Sequence, residues 1–157
     1  MPQLKVRSLK MLALVLGALI LVPSGAHLLE VTHKISMDRD TYFAVQRIYA
    51  GWALSGIAIL AAVVIDLALF FRLRGQEPSA AFSALLSAGL IIVGLVVFFI
   101  WVYPANVVTA NWTTQPADWE PLRRQWEYGH VAIAIATFAA FVAIASCAVG
   151  PSSTPRS

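Results

Sequence analysis

The longest uncharged stretch of this chain limits what it can fold into. No charged residue occurs between Pro78 and Ala117, and the run from Ala80 to Tyr103 alone exceeds the roughly 20 apolar residues that a membrane-spanning helix needs. Three other runs, 11–29, 48–71 and 131–149, are also apolar, and Asp66 is the one charged residue within them. Only 12% of the residues are charged, whereas soluble domains carry about a quarter. The sequence predicts an all-α fold, an integral membrane four-helix bundle.

We expect one transmembrane domain over residues 1–149, with spans near 9–31, 41–72, 80–103 and 122–149, and a disordered tail over 150–157. The first span has a second interpretation. A basic start, a short apolar core and the small residues Ser24-Gly25-Ala26 also fit a cleaved secretory signal peptide. The helical pattern continues past Ala26 without a break, which favours a retained helix, with a kink at Pro23.

The basic residues predict the orientation of the four spans. The end that holds both termini and the turn at Gly75 has six basic residues and one acid, and the other end has five basic residues and six acids. Because basic residues beside span ends favour the cytoplasm, we expect a cell-membrane protein with both termini cytoplasmic. The basic residues form no stripe, which excludes a nucleic-acid partner and leaves the lipid bilayer. The lone Cys147 excludes a disulfide-forming oxidoreductase.

A polar cap is expected on the non-cytoplasmic side, where two helix faces carry ionisable residues. The spacing of His27, Glu30 and Lys34 puts all three on one face of the first helix, and Arg123, Glu127 and His130 form the second face. Ionisable groups at this depth turn inward and pair. We expect Glu127 to pair with Arg123 and Glu30 to meet Arg123 or His130. His27 and His130 would line a cavity under the 106–118 loop.

The tryptophans at this end have two interpretations. Trp52, Trp112, Trp119 and Trp126 would form an apolar wall of the cavity, or they belong to an aromatic belt at the membrane interface. Tyr42, Gln46, Tyr49 and Trp52 mark one face where the second helix begins, after N-cap candidates in 36–40.

A metal site is the alternative to a network of ion pairs and hydrogen bonds. Glu127 with His130, and His27 with Glu30, have the i,i+3 spacing of ligand pairs in di-iron bundles. Such sites need two further glutamates, and the second and third helices offer none at this end. We therefore predict no metal and no cofactor. Asp66 interrupts the second span and is expected to reach Arg72 or water, with an ion pathway as the alternative.

Several motifs together resemble a known group of proteins. They are H27-L-L-E30, Q46-R-I-Y49-A-G-W52, P104-A-N106 with N111-W112, and W119-E-P-L-R123-R-Q-W126-E127-Y-G-H130. From Leu9 to about Ala148 the chain is similar to a bacterial family of small integral membrane proteins without an assigned function. That family belongs to the wider group that includes the anthrone oxygenases. The similarity to those enzymes rests on the four-span layout and the W-x-x-x-R-x-x-W-E-x-x-H pattern.

The resemblance implies oxidation of a lipophilic, anthrone-type aromatic by O₂ without metal or organic cofactor. His130 would be the base, oriented by Glu127, and Arg123 would stabilise the oxyanion. His27 and Glu30 would complete the catalytic set, although their role has no counterpart in that chemistry. The expected substrate-contacting residues are Tyr49, Trp52, Asn106, Asn111, Trp112, Trp119 and Trp126. The alternative hypothesis is a non-enzymatic structural or partner-binding membrane protein with a salt-bridge network in place of an active site.

Overall fold

The computed structural model describes the backbone of residues 2–150 and the side chains of residues 5–150, and every regular element in this part is helical. Of the tail expected at 150–157, only Gly150 lies within the described residues. The elements are α1 (Pro2–Lys34), α2 (Arg39–Gln46), α3 (Ser55–Leu73), α4 (Pro78–Val97), α5 (Tyr103–Val108) and α6 (Trp119–Val149). Short 3₁₀ turns lie at Arg47–Tyr49 and Trp52–Leu54, and a π-helical turn at Phe98–Val102 joins α4 to α5.

Four helical segments are long and apolar enough to cross a membrane: Lys5–Lys34, Trp52–Leu73, Pro78–Val108 and Trp119–Val149. Their outer surfaces are strongly apolar, with large side chains such as Leu29, Ile57, Phe82 and Val149 exposed. A soluble surface rarely presents apolar patches of this extent, whereas lipid accommodates them. The structure thus has the composition of a multi-pass membrane protein, as the sequence predicts.

The second predicted helix, 41–72, is divided into two. Asp38 caps α2 by accepting from the backbone N–H of Thr41 at 3.0 Å, so the expected start is confirmed within two residues. The chain then leaves the helix at Gly51, whose φ of 86° is left-handed. Glycine adopts this conformation without steric cost. The turn at Gly51 therefore separates α2 from α3, which begins at Ser55.

The four long helices pack side by side in the cyclic order α1, α3, α4, α6. We call the end where α1 finishes and α6 begins the Lys34 end, and the opposite end the Lys10 end. Small buried residues such as Ala13, Ala84 and Ala140 fill the core toward the Lys10 end, whereas aromatic rings fill it at the Lys34 end. At the Lys10 end, Nζ of Lys10 contacts Oε2 of Glu77 at 3.0 Å.

Asp66 is placed differently from the sequence expectation. It is 2% exposed inside the helix assembly, and it accepts a hydrogen bond from the Ser87 hydroxyl at 2.6 Å. Arg72, its expected partner, is exposed. The position of Asp66 around the helix axis explains this difference. Asp66 lies on the buried face of α3 with Ala62, Leu69 and Leu73, which are spaced by the helical repeat. Arg72 lies off that face.

The π-helical turn fits against α6 where α6 has no side chain. A Cβ atom at Gly129 would lie 2.5 Å from Cγ2 of Val102 and 3.0 Å from Cδ1 of Trp101. Gln125 donates its side-chain N–H to the carbonyl oxygen of Trp101 at 2.6 Å, which satisfies an acceptor in the irregular turn. These contacts fix the rotation of α6, and with it the inward direction of its polar face.

Candidate functional site

The last turns of α1 direct three polar side chains to the interior at the Lys34 end. His27 and Lys34 are buried and Glu30 is half-buried, as their spacing on one helix face predicts. A lysine buried near the end of a spanning helix is costly unless every donor finds a partner. The surrounding elements supply these partners.

Lys34 is the centre of the site. Its side chain is 2% exposed, and its Nζ lies 2.8 Å from Oε1 of Glu127, whose side chain is 0% exposed. The ammonium also donates to Oε1 of Gln46 at 3.1 Å and to the hydroxyl of Tyr49 at 3.0 Å. These contacts use its three donors. The rings of Tyr49 and Trp126 lie 4.5 and 4.4 Å from Nζ, within cation–π range.

The connection between α1 and α3 completes the hydrogen bonding. The Tyr42 hydroxyl donates to Oε1 of Glu127 at 2.9 Å and accepts from Nε2 of Gln46 at 2.7 Å, and the Tyr49 hydroxyl donates to Oε2 of Glu30. Burial, followed by the charge of Glu127, raises the pKa of Tyr42. Burial, followed by the hydrogen bond to Glu30, raises the pKa of Tyr49. Both hydroxyls therefore keep their protons and remain donors.

His27 and His130 contact each other farther along the helices toward the Lys10 end than Lys34 and Glu127 do. Their rings stack with centroids 4.0 Å apart and planes inclined by 24°. Trp126 packs against both, at 5.1 Å from His27 and 4.2 Å from His130, and Tyr49 and Trp52 also pack against His27, at 4.8 and 5.6 Å. The predicted convergence of the two helix faces is thus observed as direct contact between the His27 and His130 rings.

Two expected contacts are replaced. Glu127 pairs with Lys34 rather than Arg123, and the hydrogen-bond partner of Glu30 is Tyr49 rather than Arg123 or His130. Arg123 lies one turn nearer the helix start. There its Nη1 donates to the carbonyl oxygen of Met37 at 2.6 Å, and its guanidinium lies 4.5 Å from the Trp119 ring centroid. The i,i+4 spacing within α6 allowed the pair, but the buried ammonium from α1 competes successfully for the carboxylate.

Asn106 organises the tryptophans expected to line a binding wall. Its Oδ1 accepts from Nε1 of Trp112 at 3.0 Å and from Nε1 of Trp126 at 2.9 Å. Ala110, Asn111 and Trp112 have positive φ values of 46°, 55° and 64°, a conformation that is strained for residues other than glycine. This turn directs Trp112 inward and leaves Asn111 exposed. Trp52 is only partly covered, at 36% exposure.

A few buried polar atoms at this end lack partners. Nδ1 of His27, Oε2 of Glu127 and Nε of Arg123 are buried without a hydrogen bond. Buried polar atoms are usually paired, and these three, with Nε of Arg39, are the exceptions among the described residues. Within residues 5–150, no three side chains of the His, Cys, Asp or Glu type converge as a metal-binding group. Of the four residues weighed as ligands, Glu30 and Glu127 already accept hydrogen bonds from neighbouring side chains.

Three central residues were not predicted as site residues: Lys34, Tyr42 and Gln46. The sequence held a signal for each, since Lys34 shares a helix face with His27, and Tyr42 and Gln46 share one with Tyr49. Which of these faces meet depends on how α2 packs against α1 and α6, and α2 is free to do so because the turn at Gly51, which periodicity does not reveal, separates it from α3.

The chain matches no protein-family model, no curated protein and no solved structure.

Proposed function

We propose that the chain is a multi-pass protein of the cell membrane, a four-helix bundle with both termini in the cytoplasm and the Lys34 end as its non-cytoplasmic polar cap. The apolar outer surface supports membrane insertion. The excess of basic residues at the Lys10 end supports the orientation through the positive-inside rule. A reporter enzyme fused after residue 157 tests this: activity confined to the non-cytoplasmic side contradicts it.

We further propose a non-enzymatic, structural role for the polar cap. The cap acts as a structural latch, a name that we use for Lys34, Glu127 and their partners Tyr42, Gln46 and Tyr49. The latch joins the end of α1, the connection between α1 and α3, and the start of α6. One observation carries this proposal: every donor of the Lys34 ammonium is engaged, and the only hydrogen-bonded oxygen of Glu127 is shared by Lys34 and Tyr42. Among the described residues neither oxygen of Glu127 forms a hydrogen bond with His130, and the engaged oxygen faces α1 and the connection between α1 and α3.

A double-mutant cycle tests the latch. Lys34→Met and Glu127→Met should each lower the free energy of unfolding in detergent, since each leaves an unpaired buried charge. The double variant should recover much of the loss, because an apolar pair of similar volume can replace a buried ion pair. Additive losses in the double variant would contradict a coupled latch. His33→Ala, an exposed residue on the same helix, is the matched control.

A second candidate function, the cofactor-independent oxygenase implied by the sequence resemblance, is favoured by the unpartnered Nδ1 of His27 beside the stacked ring of His130. An imidazole without a hydrogen-bond partner retains a free nitrogen for proton transfer. In this hypothesis the base is the pair His27 and His130, rather than His130 oriented by Glu127. The surrounding aromatic rings contact the flat substrate.

Oxygen uptake by purified protein supplied with anthrone tests the second candidate. Activity in wild-type protein and in the His33→Ala control, lost in both His27→Phe and His130→Phe with unchanged melting temperatures, would support it. Absence of uptake above a protein-free control would exclude anthrone oxidation and leave the structural proposal standing.

A further inference from the structure

Asp66 is a second buried ionisable group, separate from the latch. It lies in α3, seven residues before the helix ends at Leu73, on the side of the chain that holds the Lys10 end. Asp66 is 2% exposed and Ser87 is 1% exposed, so the pair is enclosed between α3 and α4. The Ser87 hydroxyl donates to Oδ2 at 2.6 Å, and this is the only hydrogen bond of the carboxyl group among the described residues.

No basic side chain in the described part of the chain forms an ion pair with Asp66. On α1, Lys10 is engaged by Glu77, which precedes α4. On α6, Cys147 is buried in a core cluster with Leu69 and Leu73 of α3 and supplies no positive charge. On α3 itself, Arg72 is exposed and the Arg74 guanidinium lies over the Phe71 ring at 5.3 Å. The groups that face this carboxyl therefore leave a negative charge unbalanced.

The energetic consequence follows from the surroundings. An ionised carboxylate without a cation is costly in an apolar interior, and ionisable side chains inside spanning helices commonly mark proton or ion sites. A neutral carboxyl group avoids this cost. Serine can both donate and accept, so the Ser87 hydroxyl is able to hydrogen-bond either form of the carboxyl group. The Asp66–Ser87 pair can therefore bind a proton, and its hydrogen bond can persist after the proton has left.

We propose that Asp66 and Ser87 form a proton-binding site in the interior of the helix assembly, with Asp66 protonated at neutral pH. The ligand is the proton itself, bound as the carboxylic acid hydrogen and exchanged without any other change of covalent bonds. The assignment does not depend on the function proposed for the Lys34 end, because the two sites share no residue.

Infrared spectroscopy of the full chain tests the proposal directly. The chain has four aspartates, and the other three, Asp38, Asp40 and Asp118, are exposed. With ¹³C in the aspartate carboxyl carbon, an isotope-shifted C=O band of a protonated acid at neutral pH should come from one residue. The band should vanish in Asp66→Asn and persist in Asp118→Asn. In Ser87→Ala it should move to higher frequency, because the carbonyl loses its hydrogen bond.

Each outcome decides the assignment. A wild-type spectrum with carboxylate bands only at neutral pH overturns the proposal, and so does an acid band that remains in Asp66→Asn. If Asp66→Asn does not fold, the wild-type spectrum and the Ser87→Ala shift still answer the question. An unshifted acid band in Ser87→Ala would remove Ser87 from the site and overturn the proposed pair.

Discussion

Lys34–Glu127 and Lys10–Glu77 are pairs of the same chemical type, formed by residues near opposite ends of α1, and they differ in their surroundings. The first has side chains 2% and 0% exposed, is joined to three further polar side chains and lies beneath aromatic rings. The second is 14% and 20% exposed. Burial makes the first pair costly to form and far more costly to break, whereas the second is a partly screened surface contact. The N···O distance of an ion pair alone therefore does not indicate how much breaking the pair destabilises the protein.

The largest expected effect comes from Glu127→Gln, compared with Glu77→Gln. Removing the Glu127 charge leaves the buried Lys34 ammonium unpaired, at a cost of about 3–5 kcal/mol. Unfolding in a denaturing detergent, measured by loss of helical circular dichroism, gives the free energies. Equal losses for the two variants would remove the distinction between the ends.

Gly129→Ala should have the next largest effect. The added Cβ would meet Val102 at 2.5 Å, and overpacking of this kind costs about 1–3 kcal/mol. Gly17→Ala on α1 is the matched variant toward the Lys10 end, where the nearest atom is Cδ2 of Phe141 at 3.2 Å. A smaller loss is expected there because a ring can move slightly. If Gly17→Ala costs as much as Gly129→Ala, the Lys34 end is not the more tightly constrained one.

Tyr42→Phe sharpens the comparison through pH. Because the pKa of Tyr42 is raised on folding, the folded state holds its phenolic proton more tightly than the unfolded state. The corresponding stability is complete below the ordinary tyrosine value of about 10 and is lost as the pH rises above it.

At neutral pH the lost hydrogen bonds of Tyr42→Phe should cost about 1 kcal/mol, and above the ordinary tyrosine pKa the variant should lose stability less steeply than wild type. Urea unfolding over a range of alkaline pH checks both expectations. Parallel curves for the two proteins would show that Tyr42 is not a linked group.

Lys10→Met should have the smallest effect, less than about 1 kcal/mol, since partly exposed pairs contribute little. Added salt should reduce the difference between this variant and wild type further. A loss comparable to that of Lys34→Met would mean that the Lys10–Glu77 pair is buried in the membrane-embedded protein.

The sequence was sufficient for the four apolar spans, because their length and lack of charge depend only on local composition. It was also sufficient to group His27 with Lys34 on one face and Glu127 with His130 on another. It did not indicate that Lys34, rather than Arg123, would meet Glu127. That choice depends on the rotation of α6, which Gly129 and the π-helical turn determine through contacts distant in sequence.

The separation of Lys34 and Glu127 along the chain has a consequence for biosynthesis. Chains are made from the N-terminus, so α1 enters the bilayer long before the ribosome reaches Glu127. Until α6 arrives, the Lys34 ammonium has no carboxylate at 2.8 Å and must stay hydrated at the membrane surface. The final depth of the first helix is thus reached only after synthesis of the last. A nascent chain truncated before residue 119 should hold its first helix nearer the aqueous boundary than the finished protein does.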